Sequence, residues 1–253
     1  MEASLNGKIA IVTGSARGIG YGIAKKLAQS GATLLLCGTD SSRTKEAAKE
    51  LSQEINTDID YFVGDLSKEE QAGKMVDFAL SKWGKIDILV NNAGGGVILP
   101  FLEQTPETLK TTIDRNLWTT IWCSYKVLPH MVKEEKGRII NIGADSVRNG
   151  LWDHAAYNAA KGGMHAMTTG LAREFAKYEI TVNTIAPPAV DCVALDEIRE
   201  RDARLVDKYI EIIPKGRAAK VEEVADAVWY LSTDGASFIN GQVISVNGGS
   251  NML

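Results

Sequence analysis

The raw materials for metal clusters, disulfide frameworks and membrane spans are scarce in this chain. Its three histidines, His130, His154 and His165, lie far apart, and its three cysteines, Cys37, Cys123 and Cys192, show no paired spacing. That distribution supplies no metal ligand set and suits reduced thiols in the cytoplasm better than disulfides. No apolar run approaches the ~18 residues that suggest a bilayer span, and no secretory pattern opens the chain. Positive charge is not in excess, since 28 Lys and Arg face 32 Asp and Glu, so no basic footprint for nucleic acid exists. The expectation is a soluble, cytoplasmic protein with neither a nucleic-acid nor a membrane partner and no metal. No Pro/Ser-rich linker, low-complexity tract or repeat divides the 253 residues, of which 45% are hydrophobic. One domain over 1–253 is expected.

Short Val/Ile/Leu-rich runs predict strands near 8–13, 32–38, 59–64, 86–91, 137–143, 180–185 and 242–246. Helix-length patterns separate them, two of them long, at 106–133 and 152–178. Strands alternating with helices imply right-handed crossovers and a doubly wound parallel sheet of about seven strands, helices on both faces. Between 189 and 216 no strand fits, and DEIRERDARLVDKYIEII reads as short amphipathic helices, a substrate-covering insertion.

Two stretches carry chemistry. The first run, Ile9 to Thr13, passes into Gly14-Ser15-Ala16-Arg17-Gly18-Ile19-Gly20 and then a helical pattern. A strand, close-set glycines and a helix N-terminus together suit a dinucleotide pyrophosphate. The spacing is Gly-x3-Gly-x-Gly, not the commoner Gly-x-Gly-x2-Gly. Tyr157 and Lys161, four residues apart in AAYNAAKGG, emerge on one helix face. A phenol titrates at about 10, and an ammonium beside it favours the phenolate, which prepares a general acid or base.

These residues, with Asp65 after the third strand, Asn91-Asn92-Ala93-Gly94, Arg115-Asn116-Leu117 and Val246-Asn247-Gly248-Gly249, resemble the short-chain dehydrogenase/reductase family along almost the whole chain. The resemblance implies a Rossmann-type fold and hydride transfer between a nicotinamide dinucleotide and a ketone or secondary alcohol. By resemblance, Tyr157 exchanges the substrate proton, Lys161 lowers its pKa and binds the nicotinamide ribose, and Asn116 holds a water that relays protons. Gly14, Ser15, Arg17, Gly18, Ile19 and Gly20 would cradle the pyrophosphate side. Asp65 and Leu66 would meet the adenine, Asn92, Ala93 and Gly94 a ribose, and Pro187 and Val190 the nicotinamide end. Asp65 also reads as a helix N-cap. Family members are commonly homotetramers.

Where NAD-preferring members carry an acid after the second strand, this chain has Gly38, followed by Thr39 and Asp40. Thr39 and Arg17 favour NADP(H), as in the 3-oxoacyl carrier-protein reductases that the chain resembles; an inward Asp40 reverses this to NAD(H). The Ser expected thirteen residues before Tyr157 is Ala144, and Ser146 is the candidate replacement. The Pro-Gly-x3-Thr of relatives is Pro187-Pro188-Ala189-Val190-Asp191-Cys192. Trp118, Trp122, Trp152 and the segment Gly94–Leu99 are candidates for an apolar substrate pocket. A lid cation or Arg148 is a candidate partner for a substrate carboxylate or thioester phosphate. The leading expectation is a carbonyl or 3-oxoacyl reductase acting on a ketone, alcohol or acyl thioester. An NAD-dependent dehydrogenase of cis-dihydrodiol ring carboxylates is the alternative, and a non-catalytic cofactor-binding regulator is the alternative from another class.

Overall fold

The computed structural model describes residues 4–252. Seven parallel strands form one sheet: β1 (Ile9–Val12), β2 (Thr33–Gly38), β3 (Ile59–Val63), β4 (Ile88–Asn91), β5 (Gly137–Ile142), β6 (Ile180–Ala186) and, at the far edge, Val243–Ser245. All seven predicted runs are present. The spatial order is β3-β2-β1-β4-β5-β6 followed by Val243–Ser245, with Ala10 opposite both Leu34 and Ile88. The chain reverses its direction of sheet growth between β1 and β4, and open α/β sheets bind ligands at the carboxyl ends beside such a point.

Alternation along each strand feeds two cores. Ala10, Val12, Leu34 and Leu36 pack with α1 (Gly18–Gln29) and α2 (Ser41–Ile55), whereas Ile11, Leu35, Cys37 and Leu89 pack with α3 (Glu69–Trp83) on the other face. Both faces are covered, so the strands read as near-continuous apolar runs.

Three departures from the sequence expectation bear on the site. The 106–133 helix is broken into α4 (Pro106–Ile113), a π-helical turn at Asp114–Trp118 and α5 (Thr119–Lys133). Such turns leave the i→i+4 ladder and often mark functional positions; here it carries Asn116. After the four-residue α6 (Ser146–Asn149), the 152–178 expectation becomes α7 (Ala155–Phe175) plus a 3-10 turn. The insertion after β6 holds a strand after all, β7 (Val190–Asp191), which pairs in parallel with β8 (Ala219–Lys220) and ties its two ends together; the sheet-edge strand Val243–Ser245 is therefore β9. Between β7 and β8, α8 (Val193–Arg201) and α9 (Ala203–Glu211) enclose a separate apolar cluster of Leu195, Leu205, Val206 and Tyr209 against Leu151 and Ala189. The insertion expected to cover the substrate thus has an apolar core of its own.

Candidate active site

A cleft of about 620 Å³ opens at the carboxyl ends of the strands. Its floor begins at the glycine loop. Gly14 has φ +62°, and a Cβ there would stand 2.8 Å from Ala93 Cα, so only glycine lets the loop lie against the β4 turn. Thr13 Oγ1 accepts from the amides of Asn92 and Ala93, at 3.0 and 2.9 Å, and Asn92 Nδ2 donates to the carbonyls of Thr13 and Gly14. Asn92 therefore braces the loop. The N-cap of α1 is Arg17, whose side chain makes no cap bond, so the first amides of the helix remain available at the positive end of its dipole. This donor set fits a pyrophosphate.

Of the predicted cofactor residues, Gly14, Arg17, Gly18, Ile19 and Gly20 line the cleft, as do Asn92, Gly94, Pro187 and Val190. Five others do not. Ser15 is buried with its hydroxyl turned inward, donating to Val12 O and accepting from Cys37 N. Leu66 is spent on the core, and Ala93 supports the loop through its amide. Asp65 is exposed, and its carboxylate accepts from Ser67 N; α3 is capped at Lys68, so the N-cap reading of Asp65 is corrected to a local turn. Thr39 is exposed outside the cleft, and Asp40 does not turn inward, because its carboxylate caps α2 by accepting from Arg43 N at 2.9 Å.

Arg17 holds a partner that the sequence did not suggest. Its guanidinium forms a fork with the carboxylate of Glu197 on α8, Nη2 to Oε2 at 3.3 Å and Nη1 to Oε1 closer still. The pair bridges the glycine loop to the lid across the cleft mouth, and the bond to Glu197 raises the pKa of Arg17.

Tyr157 and Lys161 share the inner face of α7 and line the cleft. Lys161 Nζ donates to Ile142 O at 2.7 Å and lies 5.8 Å from the centre of the Tyr157 ring. Loss of water acts on both: burial pushes the Tyr157 phenol up to about 12 and the Lys161 ammonium down to about 7. The expected lowering of the tyrosine by the lysine must therefore overcome a burial effect of opposite sign. Asn116 is fully buried and does not line the cleft; it clamps the next wall segment, accepting from Gly95 N at 3.1 Å and donating to Gly95 O at 2.9 Å and Thr112 O at 2.8 Å. A Cβ on Gly94 would lie 2.6 Å from Asn116 Oδ1 and 3.3 Å from Lys161 Nζ, so the three residues meet around one hydrogen.

Ala144 and Ser146 both line the cleft. Ser146 begins α6, and its Oγ donates to Asn158 Oδ1 at 2.6 Å, beside Tyr157 in sequence. Behind them His165 Nε2 accepts from Ala144 N at 3.4 Å, and burial holds this imidazole down at about 4. An unfolded histidine takes a proton near ~6.5 while the folded one resists until about 4, so stability falls as pH drops through that window. His165→Asn is expected to flatten this part of a stability-versus-pH curve measured by denaturant unfolding; an unchanged slope would contradict it.

Asp145 was not recognised as structural in the sequence. Its buried carboxylate accepts from Asn247 Nδ2 at 3.0 Å, from Asn149 Nδ2 at 3.1 Å and from the Ser250 hydroxyl, which fastens the C-terminal segment to the active-site turn. Arg148 is likewise internal, donating to Ser245 Oγ and Val243 O, so it is not a substrate contact. The tryptophans are corrected too: Trp118, Trp122 and Trp152 lie outside the cleft, with Trp118 stacked on Trp122 at 5.1 Å and Trp152 exposed. The substrate end is walled instead by Leu151, His154, Ile198, Tyr209 and Ile212, with Gly96 and Ile98 from the predicted segment. His154 Nδ1 donates to Trp152 O at 2.6 Å, and its ring meets Tyr157 and Tyr209 edge-on at 5.6 and 5.3 Å. Among the described residues no His/Cys/Asp/Glu group is arranged to hold a metal, and no helix is long and apolar enough to cross a membrane.

Comparison with known proteins agrees with this geometry. Residues 14–251 match the family model described as enoyl-(acyl carrier protein) reductase. The 2,3-dihydroxy-2,3-dihydro-p-cumate dehydrogenase of Pseudomonas putida is 53% identical over 249 residues, covering 98% of this chain and 96% of that protein. The 3-oxoacyl-[acyl-carrier-protein] reductase FabG of Aquifex aeolicus is 36% identical, covering 98% and 99%. The crystal structure of gox2181 superposes with a TM-score of 0.91 at 30% identity, covering 98% of this chain and 96% of that one.

Proposed function

The chain belongs to the short-chain dehydrogenase/reductase family of oxidoreductases acting on CH–OH groups, and we propose that it oxidises a cis-dihydrodiol of a ring carboxylate, with NAD⁺ as hydride acceptor. The observation that carries this reading is the 53% identity, spread over almost the entire chain, to a dehydrogenase named for such a diol. It reverses the order of the two enzymatic expectations drawn from the sequence.

The cleft residues suit the chemistry. The amides of the glycine loop would hold a nicotinamide dinucleotide, which would supply the acceptor for a hydride from one carbinol carbon. Tyr157, as phenolate, takes the proton from that carbon's hydroxyl, and a C=O bond forms. The neighbouring carbinol carbon then gives up its proton, and the ring becomes a catechol; diol and NAD⁺ are converted to catechol, NADH and one proton. Lys161 as ammonium opposes the burial that keeps Tyr157 protonated. Asn116 positions the wall beside Lys161 through its two bonds to Gly95. Ser146 steadies the substrate oxygen by turning toward it the hydroxyl proton that it otherwise donates to Asn158 Oδ1.

Cofactor choice follows the lid. The NADP(H) expectation rests on Gly38, Thr39 and Arg17, but the charge of Arg17 is held by Glu197, and Thr39 is turned to solvent. Glu197→Gln is expected to raise the preference for NADP⁺ over NAD⁺ by about tenfold in kcat/KM, because a released guanidinium forms charge-assisted bonds to phosphate. An unchanged preference would place Arg17 elsewhere in binding. The second reading, reduction of 3-oxoacyl thioesters with NADPH, rests on Gly38 standing where an acid is usual and on the 36% identity to FabG. Turnover of a 3-oxoacyl thioester with NADPH, in the absence of any with a cis-diol carboxylate and NAD⁺, would install it. A protein that only senses cofactor needs no Tyr157, Lys161 and Asn116 gathered at one wall. A homotetramer in the cytoplasm is part of the proposal, the oligomer supported by the exposed Trp118 and Tyr125 flanking the half-buried Trp122, the compartment by three unpaired cysteines.

A further inference from the structure

The lid brings an unpartnered phenol into the cleft. Tyr209 of α9 is 4% exposed, lines the cleft, and its hydroxyl has no hydrogen-bond partner among the described residues, although buried polar groups are nearly always paired. A buried donor left open in an active-site wall has a ligand as its natural partner. His154 does not satisfy it: the two rings meet edge-on, and the histidine's proton goes to Trp152 O. Burial pushes the Tyr209 phenol up to about 12, so it is a donor throughout the neutral range.

A cation stands near it. Of the lid cations, Arg199 pairs with Asp196 and Lys208 lies over the Trp152 ring, while Arg17 of the glycine loop is held by Glu197. Arg201, at the end of α8, lines the cleft with no carboxylate partner among the described residues, and its charge acts on the Tyr209 hydroxyl against the opposite effects of Asp153, which is larger, and Asp202. Arg115, on the π-turn, is the other unpaired arginine of the wall, and no such buried donor accompanies it.

We infer that Tyr209 and Arg201 form the specificity site of the lid, the phenol and guanidinium together holding the carboxylate of the substrate ring while Tyr157 works on the diol. This rests on the diol reading above. Both groups donate at neutral pH, and the guanidinium, a cation with no acceptor, cannot take a bond from a ligand NH₂, so a carboxylate is preferred over the isosteric amide.

The test compares a cis-2,3-dihydrodiol ring carboxylate with its carboxamide in wild type, Tyr209→Phe, Arg201→Met and Arg115→Met, each checked for an unchanged melting temperature. Loss of a charge-assisted bond is worth roughly 10- to 100-fold. The acid-to-amide ratio of kcat/KM is therefore expected to fall by about 30-fold in Arg201→Met and about tenfold in Tyr209→Phe, mainly through KM. A ratio within threefold of wild type in both, or one that falls only in Arg115→Met, overturns the inference while leaving the diol reading in place. Should wild type oxidise no diol, the diol reading fails, and binding of 4-isopropylbenzoate against 4-isopropylbenzamide, followed by tryptophan fluorescence, decides the inference alone. Preference for the benzoate that disappears in Arg201→Met supports it, and equal affinities refute it.

Discussion

Tyr157→Phe is expected to lower kcat/KM for diol oxidation by about 10³-fold, within the range a positioned acid or base contributes, while the melting temperature stays within a degree or two. The ring contacts to His154 survive the change and only the proton acceptor is lost. Lys161→Met gives the companion result with a distinct signature. Without the ammonium, nothing opposes the burial that pushes the phenol up, so oxidation depends on a phenolate that is rare at neutral pH. The rate of the variant should climb with pH across 7 to 10 without a plateau, because each unit adds phenolate, whereas the wild-type profile levels off lower. A Lys161→Met profile parallel to wild type would show that the lysine does not set the tyrosine.

Gly94→Ala should remove activity by at least about 100-fold through a single methyl group, since displacements near 1 Å in a catalytic constellation cost that much. The new carbon would press on Asn116 Oδ1 at 2.6 Å and Lys161 Nζ at 3.3 Å. Asn116 has no room to yield, being buried and bonded to Gly95 twice and to Thr112 once. Lys161 is held by Ile142 O on its other side. Overpacking of this kind costs about 1–3 kcal/mol of stability as well, so the melting temperature should fall with kcat. Activity within threefold of wild type would mean that the wall is softer than its hydrogen bonds imply.

The inner strands were legible because they are buried on both faces, which gives β1, β2 and β4 short apolar runs in the sequence. The glycine loop and the Tyr157/Lys161 pair were legible for a different reason: each depends on neighbours within one turn or one loop. What stayed hidden depends on residues far apart in the chain. Arg17 and Glu197 are separated by 180 positions, and Asp145 meets the hydroxyl of Ser250 across 105, so neither partnership leaves a local pattern. The break at Asp114–Trp118 was invisible because the apolar periodicity runs on across a π-turn. Trp118, Trp122 and Trp152 misled because aromatic side chains suit a pocket, a core and an outer face equally well. Tyr209 and His154 enter the site only when the lid, with its own apolar cluster, folds back over the sheet.

The measurement that bears most directly on this account is incubation of the purified enzyme with a cis-2,3-dihydrodiol ring carboxylate and NAD⁺, following NADH and catechol together, with NADP⁺ in a parallel run. The expected result is one NADH per catechol formed, faster with NAD⁺ than with NADP⁺. Absence of catechol, while the same preparation reduces a 3-oxoacyl thioester with NADPH, would contradict the account.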